Sequence, residues 1–374
     1  MSGGALFVPA QTLRLAAKQY GTPFYVYDEA GLRRNTAQAL AAFSWNGGFS
    51  LYFPVRWNRN AEVLRILRES GCGAECSDRA ELALAERCGF SGGALRYAPR
   101  RVDAAGEQLA ARLGAEVVLD DPALRPGFVP QRVVLRVWPG ERLCWHGRTV
   151  AQCGKSKFGM TKREAFYLAD YYLAQGTEVG FGLWLAESGC DAGLYPAEAR
   201  LLLDWMREFY EITGKQLACC DLGAGPGVSG CGEAPETELS QIGALVREAA
   251  GQSGIPFSAA PGAWLAGRAG MLVTRVLTVK ERERPHVVLD VPGPVQLPGS
   301  GRQAMRVLGR RMDAVRSLRL CDVSGCGPSL HDRISERQVL PPVKAGDLMV
   351  LEAVGVHLPT EIPEAVWADG ALRF

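Results

Sequence analysis

Phe49-Ser50-Leu51-Tyr52-Phe53-Pro54-Val55 is a short aromatic and aliphatic run, and shortly after it Ala61–Ser70 carries Val63, Leu64, Ile66 and Leu67 at helical spacing. A buried strand followed by an amphipathic helix is one βα unit, and the pattern extends in both directions. Upstream, residues 11–20 read as a short helix and Pro23-Phe24-Tyr25-Val26-Tyr27 as an aromatic, β-branched strand. Downstream, helices are expected over Ala80–Cys88, Lys162–Ala174, Ala197–Thr213 and Glu238–Ser253. Strands are expected over Val117–Leu119, Val133–Val137, Val179–Leu185, Leu217–Leu222 and Phe257–Ala260. Sustained strand-helix alternation is the pattern of a parallel α/β barrel. After Gly270 the rhythm changes: Met271–Lys280, His286–Val291, Val315–Cys321 and Leu348–Ala353 read as strands between Pro- and Gly-rich turns. The expected fold is α/β: a TIM-like (β/α)8 barrel plus a C-terminal all-β domain that also takes the N-terminal strand. The expected boundaries are 1–32 for the N-terminal segment, 33–272 for the barrel and 273–374 for the β domain.

With 374 residues there is chain enough for a barrel and a smaller domain. A formal net charge of +2 gives no reason to expect nucleic acid or an anionic membrane as partner. No apolar run reaches the eighteen or so residues that a membrane span needs. Met1–Ala10 has neither a basic start nor a sustained apolar stretch, so no signal peptide is expected and the chain reads as cytoplasmic. Eleven cysteines, an odd number without an export signal, argue for reduced thiols over a disulfide framework. Cys72 and Cys76, and Cys321 and Cys326, lack the paired partners of a structural zinc site, and no metal is expected.

Eight segments stand out in order along the chain: Tyr20–Asp28; Glu75-Cys76-Ser77 with Glu81-Leu82; Val134–Val137; Ser156-Lys157-Phe158-Gly159-Met160; Asp221-Leu222-Gly223-Ala224-Gly225-Pro226-Gly227; Pro261-Gly262 with Ala269-Gly270; His331–Arg337; and Gly346–Met349. In that order they resemble the fold-type III pyridoxal-phosphate (PLP) decarboxylases, the ornithine- and diaminopimelate-decarboxylase-like family with an alanine-racemase-type barrel. The resemblance implies amino-acid metabolism and a homodimer with shared active sites.

It also points to what is different here. The family's first barrel strand ends in the lysine that forms the PLP imine; here Phe53-Pro54-Val55-Arg56-Trp57-Asn58 places Arg56 there. An imine needs a neutral amine, and a guanidinium stays protonated. The family's glutamate at the pyridine nitrogen aligns with Ala260 and the nearby arginine with Ala263. The histidine on the ring face aligns with Trp184 and the phosphate-reaching tyrosine with His357. The catalytic cysteine position falls on Pro328, with Cys326 nearby. Rescue by another lysine is not expected from Lys18, Lys155, Lys162, Lys215, Lys280 or Lys344, none of which aligns with the imine position.

The leading expectation is a repurposed, PLP-independent enzyme acting on a small anionic, amino-acid-derived carboxylate, with no cofactor. In it Arg56, His357, Cys326 and Asp332 are the candidate catalytic groups. Arg136, the glycine loop Gly223, Gly225 and Gly227, and Trp57 and Trp184 bind the substrate anion. Two alternatives stay open: a non-catalytic pseudoenzyme or regulatory partner of a decarboxylase-type protein, and a non-covalent binder of PLP or haem. An Arg56 committed to a buried carboxylate favours the scaffold alternative.

Overall fold

The computed structural model describes residues 5–185, 191–225, 239–292, 304–309, 318–329, 332–357 and 361–374. The chain divides into two compact units: one formed by the chain up to Leu32 with that from Ala266 onward, the other by described residues between Arg33 and Leu265.

In the second unit eight parallel strands close into a barrel. They are β2 (Ser50–Pro54), β3 (Gly73–Cys76), β4 (Leu95–Tyr97), β5 (Glu116–Leu119), β6 (Arg132–Arg136), β9 (Glu178–Gly182), β10 (Cys219–Asp221) and β11 (Phe257–Ala259). A hairpin of β7 (Arg142–Trp145) and β8 (Arg148–Gln152) follows β6. Helices α3 (Ala61–Glu69), α4 (Arg79–Arg87), α5 (Ala104–Leu113), α6 (Lys162–Leu173), α7 (Leu194–Thr213) and α8 (Leu239–Ala250) alternate with the strands. Strands covered on both faces read as continuous apolar runs, which is why Val133–Leu135 was legible as strand. Starts are fixed locally: the Asn60 side chain accepts from the Glu62 and Val63 amides at the head of α3, and Asp78 does the same for Glu81 in α4.

Strand register places the site. Arg136 in β6 pairs with Gly182 in β9, Gly182 with Asp221 in β10, and Asp221 with Ser258 in β11. A Cβ at Gly182 would meet the Asp221 Cβ at 2.8 Å and the Val134 Cγ1 at 2.9 Å. The bare backbone at Gly182 lets the Asp221 and Val134 side chains close over it, between Arg136 and Asp221 in the register.

The other unit is built on a nine-stranded sheet. The N-terminal helix α1 (Ala10–Tyr20) leads into β1 (Phe24–Asp28), and α2 (Glu29–Ala42) follows it. Strand β1 pairs antiparallel with β12 (Gly270–Lys280), which the short α9 (Gly262–Ala266) precedes, and parallel with β18 (Glu364–Ala368). The expectation that the N-terminal strand joins the β domain holds. The sheet is completed by β13 (His286–Leu289), β14 (Met305–Val307), β15 (Arg319–Ser324), β16 (Arg333–Leu340), β17 (Leu348–Glu352) and β19 (Ala371–Arg373). Its core packs Val8, Leu13, Phe24, Val26, Met271, Val273 and Val350. No helix among the described residues is long and apolar enough to cross a membrane.

Candidate functional site

The β2 strand ends at Pro54, and Val55–Trp57 form a single 3-10 turn beyond it. Arg56 therefore stands at the C-terminal end of its strand, the end where barrel sites are built. Its Nη1 donates to Glu75 Oε1 at 3.0 Å, and the side chain is 14% exposed. Arg136, last residue of β6, brings Nη2 to the other oxygen of the same carboxylate at 3.4 Å. Burial pushes the Glu75 carboxyl up, Arg136, Arg56 and Arg96 push it down, and the cations win, leaving it below its ordinary value.

Trp184 lies against both guanidiniums, its ring centroid 4.8 Å from the Arg56 Cζ and 4.5 Å from that of Arg136. Phe158 meets Trp184 edge-on at 6.5 Å, and Trp57 flanks Arg56 at 6.0 Å. Asp120 also faces Arg136, and burial pushes its carboxyl above its ordinary value. The expected grouping of Arg56, Arg136, Trp57 and Trp184 is present, with Arg56 tied to a buried carboxylate.

Replacing Glu75 by glutamine leaves two buried guanidiniums around a neutral amide and is expected to cost about 2–4 kcal/mol at neutral pH. The folded-state value of Glu75 is depressed, so its contribution is present above the unfolded value and lost as pH falls through the folded one. Urea unfolding of wild type and Glu75→Gln should therefore differ most near neutrality and converge in acid. A gap that stays constant with pH counts against the assignment.

The glycine loop has a structural cause. Gly223 and Gly225 hold φ of +61° and +68°, and a Cβ on either would collide, with the Leu183 carbonyl oxygen and the Pro261 side chain respectively. Both positions need glycine whatever binds there. Gly227 lies outside the described residues.

Three candidates belong to the β-rich unit. His357 Nε2 is 2.7 Å from the Tyr27 hydroxyl and 3.6 Å from Glu364 Oε1, and the ring stacks on Tyr25 at 4.1 Å. Cys326 is exposed, with its Sγ 3.3 Å from the Val291 carbonyl oxygen. Asp332 is buried, and its backbone oxygen accepts from Gly325. Cys326 and Asp332 share one loop, while His357 has separate partners.

Sequence reasoning missed the barrel's interior. Arg96 in β4 donates through Nε to Glu116 Oε1 at 2.6 Å, through Nη1 to Asp221 Oδ1 at 2.9 Å and through Nη2 to Ser258 Oγ at 3.0 Å. Ser258 in turn donates to Asp221 at 2.7 Å, and the Arg96 guanidinium lies over the Tyr52 ring at 3.9 Å. Barrel interiors are filled mostly by branched aliphatic residues, so a buried arginine spanning this one is a marked departure. The available signal was single charges inside strands, Glu75, Arg96 and Glu116, each flanked by apolar residues.

A closed parallel barrel flanked by helices defines a TIM-like barrel, here with charged side chains gathered at its strand ends. The chain belongs to the pyridoxal-dependent decarboxylase family: residues 30–263 match the model of that family's pyridoxal binding domain. It is similar to the diaminopimelate decarboxylase of Methanothermobacter thermautotrophicus, at 26% identity over 91% of this chain and 83% of that one. Among solved structures it resembles a diaminopimelate decarboxylase variant from Helicobacter pylori in complex with L-lysine, with TM-score 0.80, 18% identity, and 96% and 95% of the chains covered. The lysine/ornithine decarboxylase of Vibrio vulnificus with putrescine gives TM-score 0.77 at 16% identity, covering 97% of this chain and all (100%) of that one.

The expectation that the chain takes no cofactor is corrected by this match, because the matched domain is a pyridoxal binding one and PLP is the cofactor the family points to. The residues in place do not fit a covalently held pyridoxal group. The guanidinium of Arg56 offers no neutral amine, and it is already bonded to Glu75. Lys162 and Lys215 are paired with Glu208 and Asp170 on the helical surface, and Lys155 and Lys157 are exposed. The tight glycine turn is filled by protein atoms on the sides where its Cβ atoms would stand.

Proposed function

We propose that this member of the decarboxylase family takes an amino-acid-derived anion at the C-terminal end of its barrel strands, by charge and ring contact and without an imine at residue 56. The observation that carries the reading is one carboxylate, Glu75, shared by two arginines against an indole face. The trio carries a formal charge of +1, with Asp120 and Asp221 also acting on Arg136, and a guanidinium pair on an aromatic face suits a planar carboxylate or phosphate. A pyridoxal-type ligand satisfies the same chemistry when held by non-covalent contacts. The family resemblance adds the expectation that the chain pairs with a second copy.

A second reading is favoured by the Arg56–Glu75 bond itself: a cation committed to a buried carboxylate serves the scaffold, and the chain then acts as a non-catalytic partner of a decarboxylase-type protein. Calorimetry with PLP on the purified protein separates the two. Saturable binding, weakened about tenfold or more in Arg56→Met, is expected. Binding unaltered by that substitution, or absent in the wild type, overturns the proposal and leaves the scaffold reading.

A further inference from the structure

Glu75, Asp221 and Asp120 each place a carboxyl where it acts on Arg136. The first two are already bonded: Glu75 to Arg56 and Arg136, Asp221 to Arg96 and Ser258. Asp120, which follows directly on β5, is half-buried. Its Oδ1 accepts from the Gly159 amide at 3.2 Å, and among the described residues it forms no ion pair.

Strand register fixes where this carboxyl stands. Leu119 of β5 pairs with Leu135 of β6, so the residues one step further, Asp120 and Arg136, are cross-strand neighbours. Neighbours in register share a face of the sheet, and adjacent strands lie about 4.8 Å apart. Arg136 turns its guanidinium to Glu75 at the barrel mouth, which sets Asp120 on the same face. The loop after the hairpin ties the two strand ends together. Met160 N donates to the Arg136 carbonyl oxygen at 3.0 Å, and Gly159 N, one residue earlier, donates to Asp120. Gly159 has φ of +88°, and a Cβ there would stand 2.5 Å from the Val137 carbonyl carbon, so the loop lies close on the end of β6.

The two neighbours do not satisfy each other. Arg136 Nε is enclosed without an acceptor among the described residues. Lys157 lies over the Phe158 ring at 5.3 Å, and Asp121 is bonded to the Ala123 amide. Burial pushes the Asp120 carboxyl up, and Arg136, the Gly159 amide and Lys157 do not bring it back to its ordinary value. A half-buried carboxyl in that state is short of a counter-charge.

We propose that Asp120 determines the specificity of the site: its carboxylate takes the ammonium of a ligand whose anionic group lies on Arg56 and Arg136. The ligand class is then dipolar, an amine-bearing carboxylate or phosphate in preference to a simple anion. This rests on the anion site proposed above and adds a second point of contact to it. An ammonium brings three donors, the second Asp120 oxygen has lone pairs to receive one, and the arriving cation holds the carboxyl in its charged form. One strand spacing separates the two contacts, a span that a single small molecule bridges. Asp120 therefore discriminates between ligands and does not strengthen anion binding as such.

Calorimetry with pyridoxamine 5′-phosphate and pyridoxine 5′-phosphate tests this. The probes share phosphate and ring and differ in an ammonium against a hydroxyl, and neither has an aldehyde to react with lysines. The wild type should bind the amine about tenfold more tightly than the hydroxyl probe. Asp120→Asn, whose amide oxygen still accepts from Gly159, should bind both alike and the hydroxyl probe no worse than the wild type. Asp120→Ser carries the same expectation where Asp120→Asn does not fold. Asp120→Glu, which keeps the charge, should retain part of the preference. Equal affinity of the wild type for both probes, or a preference that survives in Asp120→Asn or Asp120→Ser, overturns the inference and leaves the anion site standing. Binding of neither probe removes the anion site and the ammonium contact together.

Discussion

Replacing Arg96 by methionine is expected to cost the barrel about 3–5 kcal/mol of unfolding free energy at neutral pH. Arg96 is 1% exposed and is the common partner of Glu116, Asp221 and Ser258. Methionine keeps much of the apolar stem over Tyr52 but removes the charge, leaving two enclosed carboxyls. Among the described residues Glu116 then retains Arg132, at 3.8 Å, as its ion-pair partner, and burial already pushes its carboxyl above the ordinary value with Arg96 present. In the variant both carboxyls have to take up protons to stay buried, so their folded-state values rise above the unfolded ones. Such groups destabilise increasingly as pH climbs through that interval. The deficit measured by urea unfolding should therefore be largest at neutral pH and shrink near pH 5, roughly where unfolded carboxyls begin to protonate. A loss under about 1 kcal/mol, or one equal at both pH values, would show that Arg96 fills space and little more.

The same network shows what the sequence disclosed. Strands β5, β6 and β9 were legible because runs such as Val133-Val134-Leu135 are apolar on both faces. Strands β3 and β4 did not stand out, because Gly73-Ala74-Glu75-Cys76 and Leu95-Arg96-Tyr97 carry a charge where a buried strand is expected to be apolar. The charges that hid these strands are the ones that organise the site. Helix α5 and the β7–β8 hairpin were also missed, and so were β14, β16 and β18 in the other unit. Strand β16 alternates polar and apolar residues irregularly and contains Arg337 at φ +53°, which breaks the period that would have marked it. Part of the expected strand Val315–Cys321 lies outside the described residues, and the described strand runs over Arg319–Ser324. Arg56, Arg136 and Trp184 were found through family resemblance. Their common anchor Glu75 was not, because sequence spacing does not reveal which strand ends share a carboxylate.

On the reading proposed above, Arg56→Lys is expected to permit at residue 56 an imine that arginine cannot form. Arginine and lysine share charge but not chemistry, since only the amine can lose its proton and attack a carbonyl. Residue 56 stands at the C-terminal end of strand β2, so a lysine there starts from the position that the sequence resemblance aligns with the family's imine lysine. Two neighbours oppose it. Glu75, fully buried, holds an ammonium in its charged form, and Trp184 packs against the side chain at residue 56. Arg136 works the other way, since a second cation on the same carboxylate weakens its hold on the new ammonium. The expected result with added PLP is no imine absorbance in the wild type, a partial band in Arg56→Lys, and a fuller one in Arg56→Lys combined with Trp184→His. Borohydride trapping followed by peptide mapping should place the label on residue 56. If the wild type itself shows the band, another amine reaches the ligand, and the arginine at 56 does not decide the chemistry. If neither variant shows it while both remain folded, the obstacle is the packing around Trp184 and Glu75. The departure from the family would then be built into the shape of the cluster as well as into one side chain.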